Sequence, residues 1–215
     1  MATILCFGDS NTWGCPPFTH VAQKSERLSR DARWPGIMER ALGSAEVFEE
    51  GLGGRTTVFD DAIEGAHKNG SRMIVPLLET HAPLDVVIIM LGTNDFKEQY
   101  NVSAYTSVRG TLTIVQMIKG HYVLAESTPE ILLVTPARIS AAAEPAVWGD
   151  AHLRCEDHAY YMDQVASRTG CFHFDANSVV QVGEDGIHLT ASSHRALGLA
   201  LAERVQALLT LRATS

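Results

Sequence analysis

Residues 85–91 contain the run Val-Val-Ile-Ile-Met-Leu, the strongest strand signal in the chain. Such a run has no polar face to offer to water. A strand of that kind must be covered on both sides, which favours a parallel sheet between layers of helix. The rest of the chain fits that demand. Strands are predicted at 4–7, 45–48, 131–135 and 171–175, and helices at 32–42, 104–119, 153–168 and 191–211. Gly43 stops the first helix and Pro136 stops the fourth strand. Alternating strand and helix imply an α/β fold, three-layer α/β/α, with a doubly wound parallel sheet of five strands. Residues 141–148, rich in Ala and carrying Pro145, read as a surface loop or insertion, or equally as a short helix.

A chain of 215 residues suits a single domain, residues 1–215, with one sizeable core. Its formal net charge of −8, without any dense Lys/Arg run, argues against nucleic acid as a partner. The four cysteines, Cys6, Cys15, Cys155 and Cys171, form no CxxC pair. The nine histidines include no HExxH spacing, so neither a metal nor another cofactor is expected. The first residues carry no basic segment before an apolar one, and no apolar run reaches membrane-spanning length. No membrane association and a cytoplasmic location are the expectations.

In a parallel α/β sheet, ligands bind beyond the carboxyl ends of the strands. The residues that follow the strands therefore matter most. After the first comes Gly8-Asp9-Ser10-Asn11-Thr12-Trp13-Gly14, and after the second Gly51-Leu52-Gly53-Gly54-Arg55-Thr56-Thr57. After the strand at 85–91 comes Gly92-Thr93-Asn94-Asp95, and beyond the last strand Asp185-Gly186-Ile187-His188. One rim thus receives a serine, a glycine-rich turn, an asparagine and an Asp/His pair. Acyl transfer needs such a set. A serine hydroxyl needs a base, histidine is the usual one, and an acid fixes the histidine's tautomer. Charge developing on the carbonyl oxygen needs prearranged donors. The Gly54 backbone and the Asn94 amide can supply them.

These residues resemble the four motif blocks of the SGNH (GDSL-like) hydrolases, in family order from residue 8 to residue 188. The resemblance implies that Ser10 is the nucleophile and that Asp185 and His188 complete a triad. It also implies an oxyanion hole formed by the Ser10 backbone N–H, Gly54 and Asn94, in a flavodoxin-like fold. The segments around Thr12-Trp13-Gly14, Arg55-Thr56-Thr57 and 89–95 are similar to a bacterial subgroup of arylesterases and acyltransferases, whose members tend to form oligomers. A homo-oligomer acting on small ester substrates with short acyl chains, with transfer to alcohols competing with hydrolysis, is therefore expected. A carbohydrate O-deacetylase or a thioesterase would use the same triad. Position 11 is Asn where the name motif has Leu, a variation expected to be harmless.

Each motif alone has an ordinary structural explanation. Gly-Asp-Ser and Asp-Gly are common turns, Asn94-Asp95 could cap a helix, and His188 could be a surface histidine. The glycines at 51–54 fall short of a dinucleotide fingerprint, because Thr56 holds the third glycine position. Asp175, directly after a strand, rivals Asp185 as the acid. Asp9 is expected to brace the serine loop, Trp34 to lie in the core, and Trp13 either to line the substrate pocket or merely to pack. The joint occurrence of four blocks in order favours the enzyme over a binding module or a nucleotide-binding protein.

Overall fold

In the computed structural model, which describes residues 1–18 and 26–213, five parallel strands form one sheet in the order β2-β1-β3-β4-β5. They are β1 (Ala2–Gly8), β2 (Ala45–Gly51), β3 (Val86–Met90), β4 (Glu130–Thr135) and β5 (Phe172–Asp175). The order reverses between β1 and β3, which opens a crevice at the carboxyl ends of those strands.

β3 shows why the chain takes this form. Its side chains alternate between two cores, because neighbouring residues of a strand point to opposite faces. Val86, Ile88 and Met90 enter one core, and Val87, Ile89 and Leu91 the other. The first core is closed by α2 (Trp34–Leu42) and α8 (Ala191–Ala213), through Trp34, Met38, Leu197, Leu201 and Val205. The second is closed by α3 (Gly70–Thr80), α4 (Ala104–His121) and α7 (His158–Thr169), through Ile74, Leu78, Ile114, Val115 and Met162. Ile88 is fully buried; truncating it to Ala would cost about 2–5 kcal/mol.

The α/β/α layering and the five strands agree with the sequence reading, as does the segment 141–148, while two helical details differ. α3 was not read from the sequence. It opens on Gly70 and carries Pro76 in its interior, both of which argue against a helix locally. Asn69 nevertheless starts it, its side chain accepting from the Ser71 amide at 3.0 Å. The helix expected over 153–168 is two pieces, α6 (Ala151–Arg154) and α7, separated by residues 155–157. Between 141 and 148 lies a loop ending in the one-turn α5 (Pro145–Trp148). Trp148, Ala143, Ile139, Phe96 and Ile187 form a third, smaller apolar cluster that anchors this segment. Among the described residues, no helix is long and apolar enough to cross a membrane.

Candidate active site

The β1 strand ends at Gly8, and the chain turns at once into α1 (Ser10–Trp13). The turn is tight: a Cβ on Gly8 would lie 2.0 Å from Thr12 Oγ1 and 2.9 Å from the Met90 carbonyl. Asp9 caps α1, its Oδ1 accepting from the Asn11 amide at 2.9 Å. This agrees with the bracing role expected for Asp9. Burial pushes its carboxyl up to about 6, against the opposing influence of the Asn11 amide and of His188.

Ser10 Oγ lies 3.0 Å from His188 Nε2, and His188 Nδ1 lies 2.7 Å from Asp185 Oδ2. The acid and the imidazole come from one turn. Asp185 Oδ1 accepts from the amides of Ile187 at 3.0 Å and His188 at 2.9 Å, while Oδ2 also accepts from the Phe18 amide at 3.1 Å. Gly186, at φ +73°, permits the turn; a Cβ there would sit 2.5 Å from the Ala143 amide nitrogen. Burial alone would raise the Asp185 carboxyl, but the His188 ring and these amides hold it below its ordinary value. Burial opposes charge on His188, yet the bond to Asp185, reinforced by the neighbouring Cys15 thiol, keeps the imidazole above its ordinary pKa. Asp175 instead caps its own turn, accepting from the Asn177 amide at 3.0 Å.

The turn at 51–54 and the segment at 92–95 meet beside Ser10. Asn94 Nδ2 donates to the Arg55 carbonyl at 3.1 Å, which leaves its second amide proton for another acceptor. Gly54 is left-handed, at φ +77°. Two buried groups fix these segments. Arg55 Nη1 donates to the Gly8 carbonyl at 2.9 Å and its guanidinium stacks over Phe7, 4.4 Å from the ring centre. Asp95 accepts from the Thr57 amide at 2.8 Å, the Thr57 hydroxyl at 2.7 Å and the Ser107 hydroxyl at 2.7 Å. Burial raises the Asp95 carboxyl to about 7 although these donors oppose it.

Ser10, Gly54, Asn94, Asp185 and His188 all line one cleft of about 1020 Å³. Trp13 lines it too, with the Arg27 guanidinium 5.2 Å from its ring centre. Phe18 and Trp148 supply further aromatic wall, and Lys68, Lys97, Glu64, Glu144 and Glu184 supply charge. Phe18 also touches His188, with ring centres 5.1 Å apart. No spacing rule marks Phe18, Cys15 or Trp148, because their approach depends on how the loops fold. Trp34 is fully buried, as expected. Among the described residues, no cysteine is in a disulfide. Among the described residues, no group of three or more His, Cys, Asp or Glu side chains could hold a metal ion.

The model of the GDSL-like lipase/acylhydrolase family matches residues 6–196. No curated protein sequence matches the chain. Among solved structures, the chain is similar to the M. smegmatis aryl esterase, with 36% identity, a TM-score of 0.91, and coverage of 97% of this chain and 100% of that one. It is also similar to Est24, a carbohydrate acetylesterase from Sinorhizobium meliloti, at 32% identity, with the same TM-score of 0.91 and the same coverage. A carbohydrate acetylesterase family member from the same organism shares 36% identity at a TM-score of 0.90, covering 98% and 100% of the two chains. The chain therefore belongs to the GDSL-like lipase/acylhydrolase family, and is a carboxylic ester hydrolase of the SGNH kind.

Proposed function

We propose that the enzyme hydrolyses carboxylic esters of short acyl chains through an acyl-enzyme on Ser10. The observation that carries this reading is the line Ser10 Oγ to His188 Nε2 to Asp185 Oδ2, at 3.0 and 2.7 Å, opening into the cleft beside Gly54 and Asn94. Ser10 Oγ attacks the ester carbonyl carbon while its proton passes to His188 Nε2. Asp185 holds the Nδ1 tautomer and stabilises the imidazolium. The Ser10 and Gly54 amides and the Asn94 side chain receive the oxyanion. His188 then gives its proton to the departing alcohol, leaving an acyl ester on Ser10. Water attacks that ester by the reverse proton path and frees the acid. An alcohol that replaces this water yields a new ester, and a water-poor cleft favours that outcome.

A second reading places acetylated carbohydrate among the substrates. It is supported by two of the similar structures, which are carbohydrate acetylesterases, and by the mixture of aromatic and charged side chains along the cleft. Aromatic faces suit the C–H faces of a sugar, and charged rims suit its hydroxyls. The test is p-nitrophenyl acetate hydrolysis by wild type and Ser10→Ala, with circular dichroism on both, followed by a panel of acetylated sugars and acyl thioesters. A folded Ser10→Ala protein should lose nearly all turnover; one that keeps the wild-type rate rules out the nucleophile. Acetate release from the sugars, with thioesters inert, favours the carbohydrate reading.

A further inference from the structure

Position 11 holds the one departure from the family's name motif, and its side chain is not idle. Asn11 is 2% exposed and follows Ser10 directly in α1. Its Nδ2 donates to the Ile187 carbonyl at 3.2 Å, and its Oδ1 accepts from the Leu189 amide at 2.9 Å. Ile187 and Leu189 are the residues on either side of His188. One amide side chain therefore grips both backbone groups flanking the imidazole, from a residue covalently joined to Ser10. The partners lie 176 and 178 residues away in sequence, so this contact is a direct tie between the two loops. Leu has a similarly branched but larger side chain with no polar atom and could make neither bond. A side chain read from the sequence only as a harmless variation thus has two defined partners across the fold.

We infer that Asn11 is a positioning residue that sets the distance between Ser10 Oγ and His188 Nε2 in this enzyme. The physical basis is lever length. The Ser10 hydroxyl sits on a short helix whose start is fixed by Asp9, and the imidazole sits on a turn fixed from within by Asp185. Those internal bonds make each half rigid but do not align one half with the other. A pair of bonds from Asn11 supplies the alignment, one accepting and one donating, so the turn can neither slide nor tilt relative to Ser10. Two further ties act less directly on Ser10: the Gly183 amide donates to the His188 carbonyl at 2.8 Å, which joins the turn to the residues just before it, and the Phe18 amide donates to Asp185 Oδ2 at 3.1 Å from eight positions beyond Ser10. Proton transfer between Ser10 and His188 depends steeply on their separation, and a misplacement of about 1 Å can cost roughly 100-fold in rate.

This inference rests on the proposed roles of Ser10 and His188, and the test separates the two. Asn11→Leu, Ser10→Ala and wild type are compared for p-nitrophenyl acetate hydrolysis, with thermal melts of each. Asn11→Leu should lower kcat about 10- to 100-fold with KM little changed. It should also broaden or abolish the downfield NMR signal of the proton between His188 and Asp185. A purely packing role would lower the melting temperature but leave kcat and that signal unchanged. A folded Asn11→Leu enzyme with kcat within about twofold of wild type overturns the inference. Activity surviving in Ser10→Ala instead overturns the proposed nucleophile. Should Asn11→Leu not fold, hydrogen exchange in the wild type decides: the Leu189 amide should be strongly protected, and exchange at the rate of an open loop contradicts the tie.

Discussion

At the scale of single residues, the proposed mechanism makes the electrostatics of His188 set the pH behaviour. Asp185 holds the imidazole above the value of about 6.5 for a free histidine. A general base must be neutral, so kcat/KM should fall as pH drops through that raised value, and the acid limb should lie on the alkaline side of 6.5. Asp185→Asn removes the anion. The limb should then move to lower pH, while kcat falls by about 10⁴ because the tautomer is no longer held. A pH–rate profile of both proteins checks the sign; an unmoved limb would mean that Asp185 does not govern the base. The same shift is a stability statement. His188 contributes stability that is fully present below about 6.5 and is lost as pH rises through its folded value. Asp185, depressed, contributes above about 4 and loses it as pH falls through its own folded value. Asn94→Ala should lower kcat by about 10²–10³ with the fold retained, measured on the same ester. The sequence made Ser10, Gly54, Asn94, Asp185 and His188 legible because each follows a strand or a recognisable turn. The contacts of Asn11 were not legible, since a motif position says nothing about which backbone groups face it across the fold.

At the scale of elements, the site depends on how closely α4 approaches the turn after β2. A Cβ on Gly110, within α4, would come 2.1 Å from Thr57 Oγ1, the hydroxyl that bonds Asp95. Gly110→Ala must therefore push α4 outward or turn Thr57 away from Asp95. The expected cost is about 1–3 kcal/mol, read as a lower urea midpoint, together with slower turnover because Asn94 adjoins Asp95. An unchanged midpoint would show that the helix yields without strain. Strands were the most readable elements, because β3 and β4 are nearly continuous apolar runs with glycine or proline beyond them. α3 was hidden, since Gly70 and Pro76 argue locally against a helix, and burial of Ile74 and Leu78 on the sheet overrides them. The break between α6 and α7 was equally hidden, and it coincides with a tertiary contact at the last residue of α6. Arg154 turns its guanidinium onto the carbonyls of Phe96 at 2.8 Å and Val102 at 3.1 Å, a tertiary capture that no local periodicity records.

At the scale of the whole molecule, the proposed reacting groups come from chain segments spread from residue 10 to residue 188, and only the sheet brings them to one rim. No short piece of the chain can hold the site, so loss of activity and loss of secondary structure should coincide in a thermal melt. Earlier inactivation would show that the rim opens independently of the sheet. The two cores on the faces of β3 give that cooperativity its basis, while the third apolar cluster ties the cleft wall at Trp148 to Ile187 beside the imidazole. The most direct measurement is the intact and peptide mass of the enzyme after reaction with a p-nitrophenyl alkylphosphonate, alongside Ser10→Ala. One adduct per chain, confined to the peptide carrying Ser10 and absent from a folded Ser10→Ala protein, is the predicted result. Persistent ester hydrolysis with no adduct, or an adduct on another residue, would contradict Ser10 as the nucleophile.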